Sequence, residues 1–233
     1  MEQAQRDELL AAFEDLRVAD VRDGMDALLH HHVGTMAPII RPLWRTRAFG
    51  IARTARYLPY CGGLPSIEPE EYWDWTSDYY RHVCSYPWQK TLQRGDFMVI
   101  DQSGVDAGLM GSANTLGCVD RGCRGFVTNG GVRDTDEIIL QNVPFWSALC
   151  SQSMVQARLE FDAMDVPVAV GGVQVRPGDV VVADGDGVIV VPNPIALDVA
   201  AHARREHEKD KTIRSRFYEK LNIDADDTIA PHA

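Results

Sequence analysis

Arg133 and Asp134 stand side by side at the end of the run Gly111 to Asp134, GSANTLGCVDRGCRGFVTNGGVRD. A planar guanidinium holds a carboxylate through two parallel hydrogen bonds. An adjacent aspartate offers hard oxygen to a divalent cation such as Mg²⁺, which takes one or two carboxylates and fills its other positions with water and substrate. The pair suits a carboxylate substrate that also chelates a metal. Gly130 and Gly131 would let the backbone turn sharply and let a ligand approach closely. Ser112, Ala113 and Asn114 follow Gly111 at the start of a predicted helix, where free N–H groups make an anion site. Taken alone, an Arg-Asp pair is more commonly a surface ion pair or a helix cap.

Other chemistry is thinly represented. There is no GxSxG elbow, no P-loop and no GxGxxG after a first strand. The four lysines are Lys90, beside an aromatic-rich stretch, and Lys209, Lys211 and Lys220 in a charged terminal helix. A Schiff-base enzyme needs a desolvated lysine near its site, and none falls at a predicted strand end. Carbonyl chemistry here would rely on a metal as electron sink. The five cysteines have no CxxC spacing, which favours reduced thiols over a disulfide framework or a zinc site. The run His30-His31-His32 reads as a polar helix end before Gly34 rather than a metal tract, because consecutive residues do not share a helix face.

The elements that must position these residues alternate between helix and strand. Residues 6–32 read as two helices, with Asp20 as a cap for the second. Thr46 to Ala55 reads as a strand. Tyr57 to Trp88 holds six of the seven tyrosines and three of the five tryptophans. It reads as a loop-plus-helix insertion, either a packing cluster or subunit contact, or a wall or lid of the site. Strands follow at 97–101 and 125–128, with helices at 112–120 and 134–141. A strand-like connection is expected at 143–148, another strand at 166–170, and a hairpin turning at Gly185-Asp186-Gly187. A long charged helix from about Pro194 to Leu221 closes the chain. The segment Pro177 to Asp184 echoes Arg94 to Asp101: Gly-Asp, apolar residues, Asp. No linker divides the 233 residues, so one domain is expected.

Hydrophobic residues make up 45% and charged residues 24%, with a net charge of −11. That balance argues against a broad electrostatic grip on nucleic acid. No apolar run approaches the roughly 20 residues that span a bilayer. The start, MEQAQRDELL, lacks a signal-peptide pattern, so the expected location is cytoplasmic.

The spacing Gly111-x21-Arg133-Asp134, with GCRGFVTNGGVRD, resembles the class II pyruvate aldolases that cleave 4-hydroxy-4-methyl-2-oxoglutarate and 4-carboxy-4-hydroxy-2-oxoadipate. These share a superfamily with the regulator of ribonuclease E activity. Val18 to Val21, Arg47 to Thr54, Gly95 to Asp101 and Pro177 to Pro192 are also similar to it; the insertion is not. The resemblance implies an α/β fold of the swivelling β/β/α type, built as homotrimers or homohexamers with sites between subunits. It implies that Asp134 ligates Mg²⁺ or Mn²⁺, that Arg133 binds the substrate carboxylate and stabilises the enolate, and that amides near Gly111, Ser112, Ala113 and Asn114 hold the pyruvyl carboxylate. A base from a neighbouring terminal helix is also implied, with Glu206 and Glu208 as candidates. The implied reaction is retro-aldol cleavage of a 4-hydroxy-2-oxo acid to pyruvate, with oxaloacetate decarboxylation through the same enolate. Two positions depart from the pattern: Ser112 replaces an acidic residue, and Asn129 replaces an aspartate. Both changes are expected to remove negative charge near the metal. A non-catalytic regulator-like binding protein, or a lyase or hydratase acting on another oxo acid, are the competing readings.

Overall fold

A computed structural model describes residues 1–229. Its centre is a mixed nine-stranded sheet. The ordered path is β1 (Arg41–Pro42), β6 (Phe145–Cys150), β5 (Gly125–Val132), β3 (Asp96–Asp101), β2 (Ala48–Pro59), β10 (Val180–Asp184) and β11 (Gly187–Val191). Off that path, β4 (Gly108–Met110) pairs β5 and β7 (Leu159–Met164) pairs β2. The strands β2, β3, β5 and β6 run parallel, as does β4 beside β5. A separate hairpin joins β8 (Val168–Val170) to β9 (Val173–Val175). Among the described residues there are six α-helices: α1 (Gln3–Phe13), α2 (Val18–Ala27), α3 (Tyr72–His82), α4 (Ser112–Val119), α5 (Thr135–Leu140) and α6 (Ala196–Leu221). This is the α/β fold with a long C-terminal helix that the sequence implied. Among the described residues, no helix is long and apolar enough to cross a membrane.

The two Gly-Asp echoes are the same turn used twice. Gly95 and Gly178 both take positive φ, 88° and 93°. In the first turn Asp96 Oδ2 accepts the Gln93 N–H at 2.8 Å; in the second Asp179 Oδ2 accepts the Arg176 N–H at 2.8 Å. Each turn then meets β2, through Ile51 N–H to the Gly95 carbonyl at 2.9 Å and Ala52 N–H to the Asp179 carbonyl at 2.7 Å. Asp96, fully buried, also pairs Arg6 of α1 at 2.6 Å.

The apolar faces form three clusters. One fills the space among β3, β5, α4, α5 and the aromatic stretch. A second lies among β2, β3, β5 and the β8–β9 hairpin, and a third packs α1, α2 and α6 on β10 and β11.

Several sequence expectations shift. The strand read as Thr46 to Ala55 runs on to Pro59, because β7 pairs its far end; the aromatic insertion therefore begins inside β2. Asp20 is not the cap of α2. Arg17 is, and Asp20 sits at its third position, accepting the Arg17 N–H at 2.9 Å. The histidine run lies beyond α2, which ends at Ala27, in a following turn. The five cysteines are free thiols, as expected.

Gly130 and Gly131 do not form a turn. They lie inside β5, at a register shift against β6. Gly131 stands opposite Gly108 of β4, and a methyl group on it would fall 2.7 Å from the Ala107 carbonyl oxygen. The pair of glycines lets β4 lie close on β5.

Candidate functional site

The site forms where two neighbouring parallel strands end. Gly111 follows the last residue of β4, and Arg133 follows the last residue of β5. Ligands in α/β sheets gather at such carboxyl ends. β4 passes into α4 through Gly111, and β5 passes into α5 through Arg133 and Asp134. Asp134 makes its corner with φ 54° and ψ 42°, the left-handed region. A side-chain-bearing residue enters that region at a cost of roughly 1 kcal/mol. Such a conformation persists only where its surroundings demand it.

Those surroundings are visible in the hydrogen bonds. The Asp134 carbonyl accepts from Ile138 N–H at 3.0 Å and so starts α5. Its carboxylate turns to the other helix: Oδ2 accepts the Ser112 N–H at 3.1 Å. A carboxylate at a helix N-terminus is favoured by the exposed N–H groups and the helix dipole. Arg133 N–H donates to the Met110 carbonyl at 3.0 Å, and Arg133 Nε lies 3.6 Å from Asp134 Oδ1. Both side chains are about one-third exposed, at 33% and 38%. Such a long, hydrated pair contributes little stability, so both groups face the cavity at small cost.

Two glycines make room for this arrangement. A methyl group on Gly111 would run into Asp134 Oδ2. One on Gly108 would lie 2.7 Å from Arg133 Cβ and 2.8 Å from its Cγ and Cδ. The Arg133 stem thus lies over the bare backbone of β4.

The resulting cavity measures about 380 Å³. Gly108, Leu109, Gly111, Ala113, Asn114, Arg133 and Asp134 line it, together with Tyr80 and Tyr86 of the aromatic stretch. The Ser112 amide is engaged by Asp134, so the first-turn donors next in line are those of Ala113 and Asn114. The aromatic stretch divides its work. Tyr57, Tyr79 and Trp88 are buried packing residues: Tyr79 Oη donates to the Leu159 carbonyl at 2.8 Å, and Trp88 Nε1 donates to Tyr57 Oη at 2.8 Å. Tyr80 and Tyr86 reach the cavity, with ring centroids 6.1 Å apart and planes at 34°. Tyr86 Oη donates to the Leu109 carbonyl at 2.7 Å. Burial, then the nearby Cys84, Tyr57 and Tyr80, push the Tyr86 phenol well above its ordinary range, against a smaller opposing effect of Arg133. It remains a neutral donor.

A matching family model, RraA-like, described as Aldolase/RraA, covers residues 18–190. The chain belongs to this family. A relative from Halalkalibacterium halodurans, provisionally named 4-hydroxy-4-methyl-2-oxoglutarate aldolase, is 34% identical over 125 residues, half of this chain and 56% of that protein. The chain thus spans little more than half the length of this relative. A solved structure of a Pseudomonas syringae pv. tomato protein is 27% identical, with a TM-score of 0.71 over 90% of this chain and 92% of that one. Streptomyces coelicolor RraAS2, from the RNase ES inhibitor RraA family, is 26% identical with a TM-score of 0.69, covering 89% and 96% of the two chains.

Against this Aldolase/RraA frame, the structure brings Gly111, Ala113, Asn114, Arg133 and Asp134 to one cavity. Ser112 contributes its amide to Asp134 instead of a face of the cavity. Glu208 is exposed on α6, whose buried side packs in the cluster under β10 and β11; no cavity residue comes from α6. Glu206, the other candidate base, pairs Lys209 at 2.7 Å. Asn129 corrects an expectation. It does not line the cavity, so the missing charge there is not at the site. Its Nδ2 donates to Asp101 Oδ1 at 2.8 Å and its Oδ1 accepts the Gln102 N–H at 2.7 Å. Gly108, Leu109, Tyr80 and Tyr86 carry no motif that marks them in the sequence. The only signal for the tyrosines was the aromatic density of their stretch.

The donor set fits Mg²⁺ or Mn²⁺. The cavity offers one carboxylate and no histidine or cysteine, and a hard cation accepts one carboxylate with water and substrate oxygen. Among the described residues, no three His, Cys, Asp or Glu side chains cluster as a metal cage.

Proposed function

We propose that the chain is a divalent-metal-dependent carbon–carbon lyase that releases pyruvate from a 4-hydroxy-2-oxo acid. The observation that carries this reading is the convergence of Arg133, Asp134 and the α4 amide end on one cavity at adjacent strand ends. Family membership and the provisional aldolase name of a relative support it.

Asp134 would hold Mg²⁺ or Mn²⁺. When bound, the ion supplies Lewis-acid polarisation of the 2-oxo group. Arg133 binds the substrate carboxylate and faces the oxygen on which charge develops. The Ala113 and Asn114 amides donate to the same anionic head. A base takes the proton of the 4-hydroxyl. The C4–O bond becomes a carbonyl as the C3–C4 bond breaks, and its electron pair passes into the pyruvate enolate. Protonation at C3 gives pyruvate. Glu208 from a neighbouring copy, in a trimer or hexamer, is the proposed base. Oxaloacetate would lose CO₂ through the same enolate.

The test is pyruvate release, with Mg²⁺ or Mn²⁺, from a panel of 4-hydroxy-2-oxo acids and oxaloacetate. Activity that requires Arg133 and Asp134 is expected. No pyruvate from any compound sinks the lyase reading. The likeness to RraAS2 favours a second reading, a binding protein without catalysis, which that negative result would leave standing.

A further inference from the structure

We propose that the cavity selects 2-oxo acids whose far end is an aromatic ring rather than a second carboxylate, and that Tyr80 and Tyr86 make the choice. The proposal rests on the reading that Arg133 holds the oxo-acid head.

Charge is the first argument. Among the described residues of one protomer, Arg133 is the one cation that lines the cavity. Once it holds the head of a substrate, the rest of the lining offers a second carboxylate no cation, and Asp134 repels it. Desolvating a charge without an opposite charge beside it is costly. A flat ring has no such penalty there.

The wall is also shaped for a ring. The hydroxyl of Tyr86 is committed to the Leu109 carbonyl at 2.7 Å, so its proton is not offered to a ligand carboxylate. Tyr80 lies beside it at 6.1 Å and 34°. Aromatic groups favour offset or tilted contacts at such spacings.

The two rings are held in advance. Tyr79 is buried and hydrogen-bonded to the Leu159 carbonyl, which pins α3. Tyr80, the next residue and about 100° round the helix, is thereby presented to the cavity. Tyr86 is braced by Trp88 at 6.0 Å and Tyr57 at 6.2 Å. A preorganised wall loses little entropy on binding. The volume, about 380 Å³, lies within the usual range for small-molecule pockets.

Calorimetric binding in Mg²⁺ buffer tests this without requiring turnover. Phenylpyruvate is compared with 2-oxoglutarate on the full chain. The expected result is that phenylpyruvate binds about tenfold tighter. Tyr80→Phe should keep that preference and Tyr80→Ala should erase it. Tyr80→Arg, which adds a second cation, should shift the preference toward 2-oxoglutarate and covers the case in which the alanine variant folds poorly. Equal affinities, tighter 2-oxoglutarate, no binding of either, or a preference unchanged in both Tyr80→Ala and Tyr80→Arg would overturn the proposal. Failure of the lyase reading looks different: the ring preference in binding would persist while no substrate yields pyruvate.

Discussion

The Ser112 amide donates to the Asp134 carboxylate at 3.1 Å, so the first turn of α4 is capped by the residue that begins α5. This bond, together with that of the Arg133 N–H to the Met110 carbonyl, holds the two halves of the site to each other. Gly111 is what permits the approach, because any side chain there meets the same carboxylate oxygen. Gly111→Ala should displace Asp134. The expected outcome is a loss of pyruvate release of roughly a hundredfold, the scale of misplacing a reacting group by an ångström. The measurement is kcat/KM beside a thermal melt, with the protein still folded.

Gly108→Ala acts on the other partner. Its methyl group would press on the Arg133 stem at 2.7–2.8 Å. Arg133 binds the carboxylate head in this account, so KM for pyruvate-releasing substrates should rise about tenfold or more. An unchanged KM would mean that Arg133 holds the head without lying over β4.

Asn129→Asp restores the residue type of the aldolase pattern, yet it should not raise pyruvate release. The new carboxylate would stand 2.8 Å from Asp101 Oδ1, where the amide now donates. The expected result is destabilisation of about 1–3 kcal/mol by denaturant titration. A gain in metal affinity would contradict the placement of Asn129 outside the cavity.

Asp20 offers a pH test of the fold. Burial opposes its charge, but hydrogen bonds donated to the carboxylate by the Arg17 side chain and the Arg17 backbone N–H, and the one with His207, outweigh burial and hold the carboxyl below its ordinary value. His207 Nδ1 lies 2.8 Å from Asp20 Oδ2 and ties α6 to α2. A lowered pKa means stability that is fully present above about pH 4, the unfolded value, and lost as pH falls through the lower folded value. Asp20→Asn should cost about 2–3 kcal/mol at pH 7. The gap from the parent should narrow as pH falls below about 4.

The free thiols separate by burial. Burial pushes Cys84 and Cys118 up to about 12 and raises Cys123 as well. Cys61 and Cys150 are exposed. A thiol reagent at pH 8 should label those two quickly and the other three only on unfolding.

The sequence made the site's endpoints legible because function and local structure point the same way there. Gly111 precedes a helix and Arg133-Asp134 precedes another, and both patterns show in residue order. The Gly-Asp echo was visible for the same reason: each turn closes on itself within four residues. Gly130-Gly131 misled because glycine signals either a turn or a close approach, and only the pairing with β4 decides between them. Tyr79 and Tyr80 are adjacent and alike in sequence, and only the direction of α3 sends one to the core and the other to the cavity. The role of Asn129 is hidden in residue order because its partners, Asp101 and Gln102, lie on a neighbouring strand end.

The most direct test of the central claim is exchange of the pyruvate methyl protons for deuterium, followed by NMR in D₂O with Mg²⁺ or Mn²⁺. Exchange requires the enolate and does not depend on knowing the full substrate. The account predicts metal-dependent exchange that falls by about a hundredfold or more in Asp134→Ala and in Arg133→Ala. No exchange above the buffer rate, or exchange by Asp134→Ala equal to that of the parent, would contradict it.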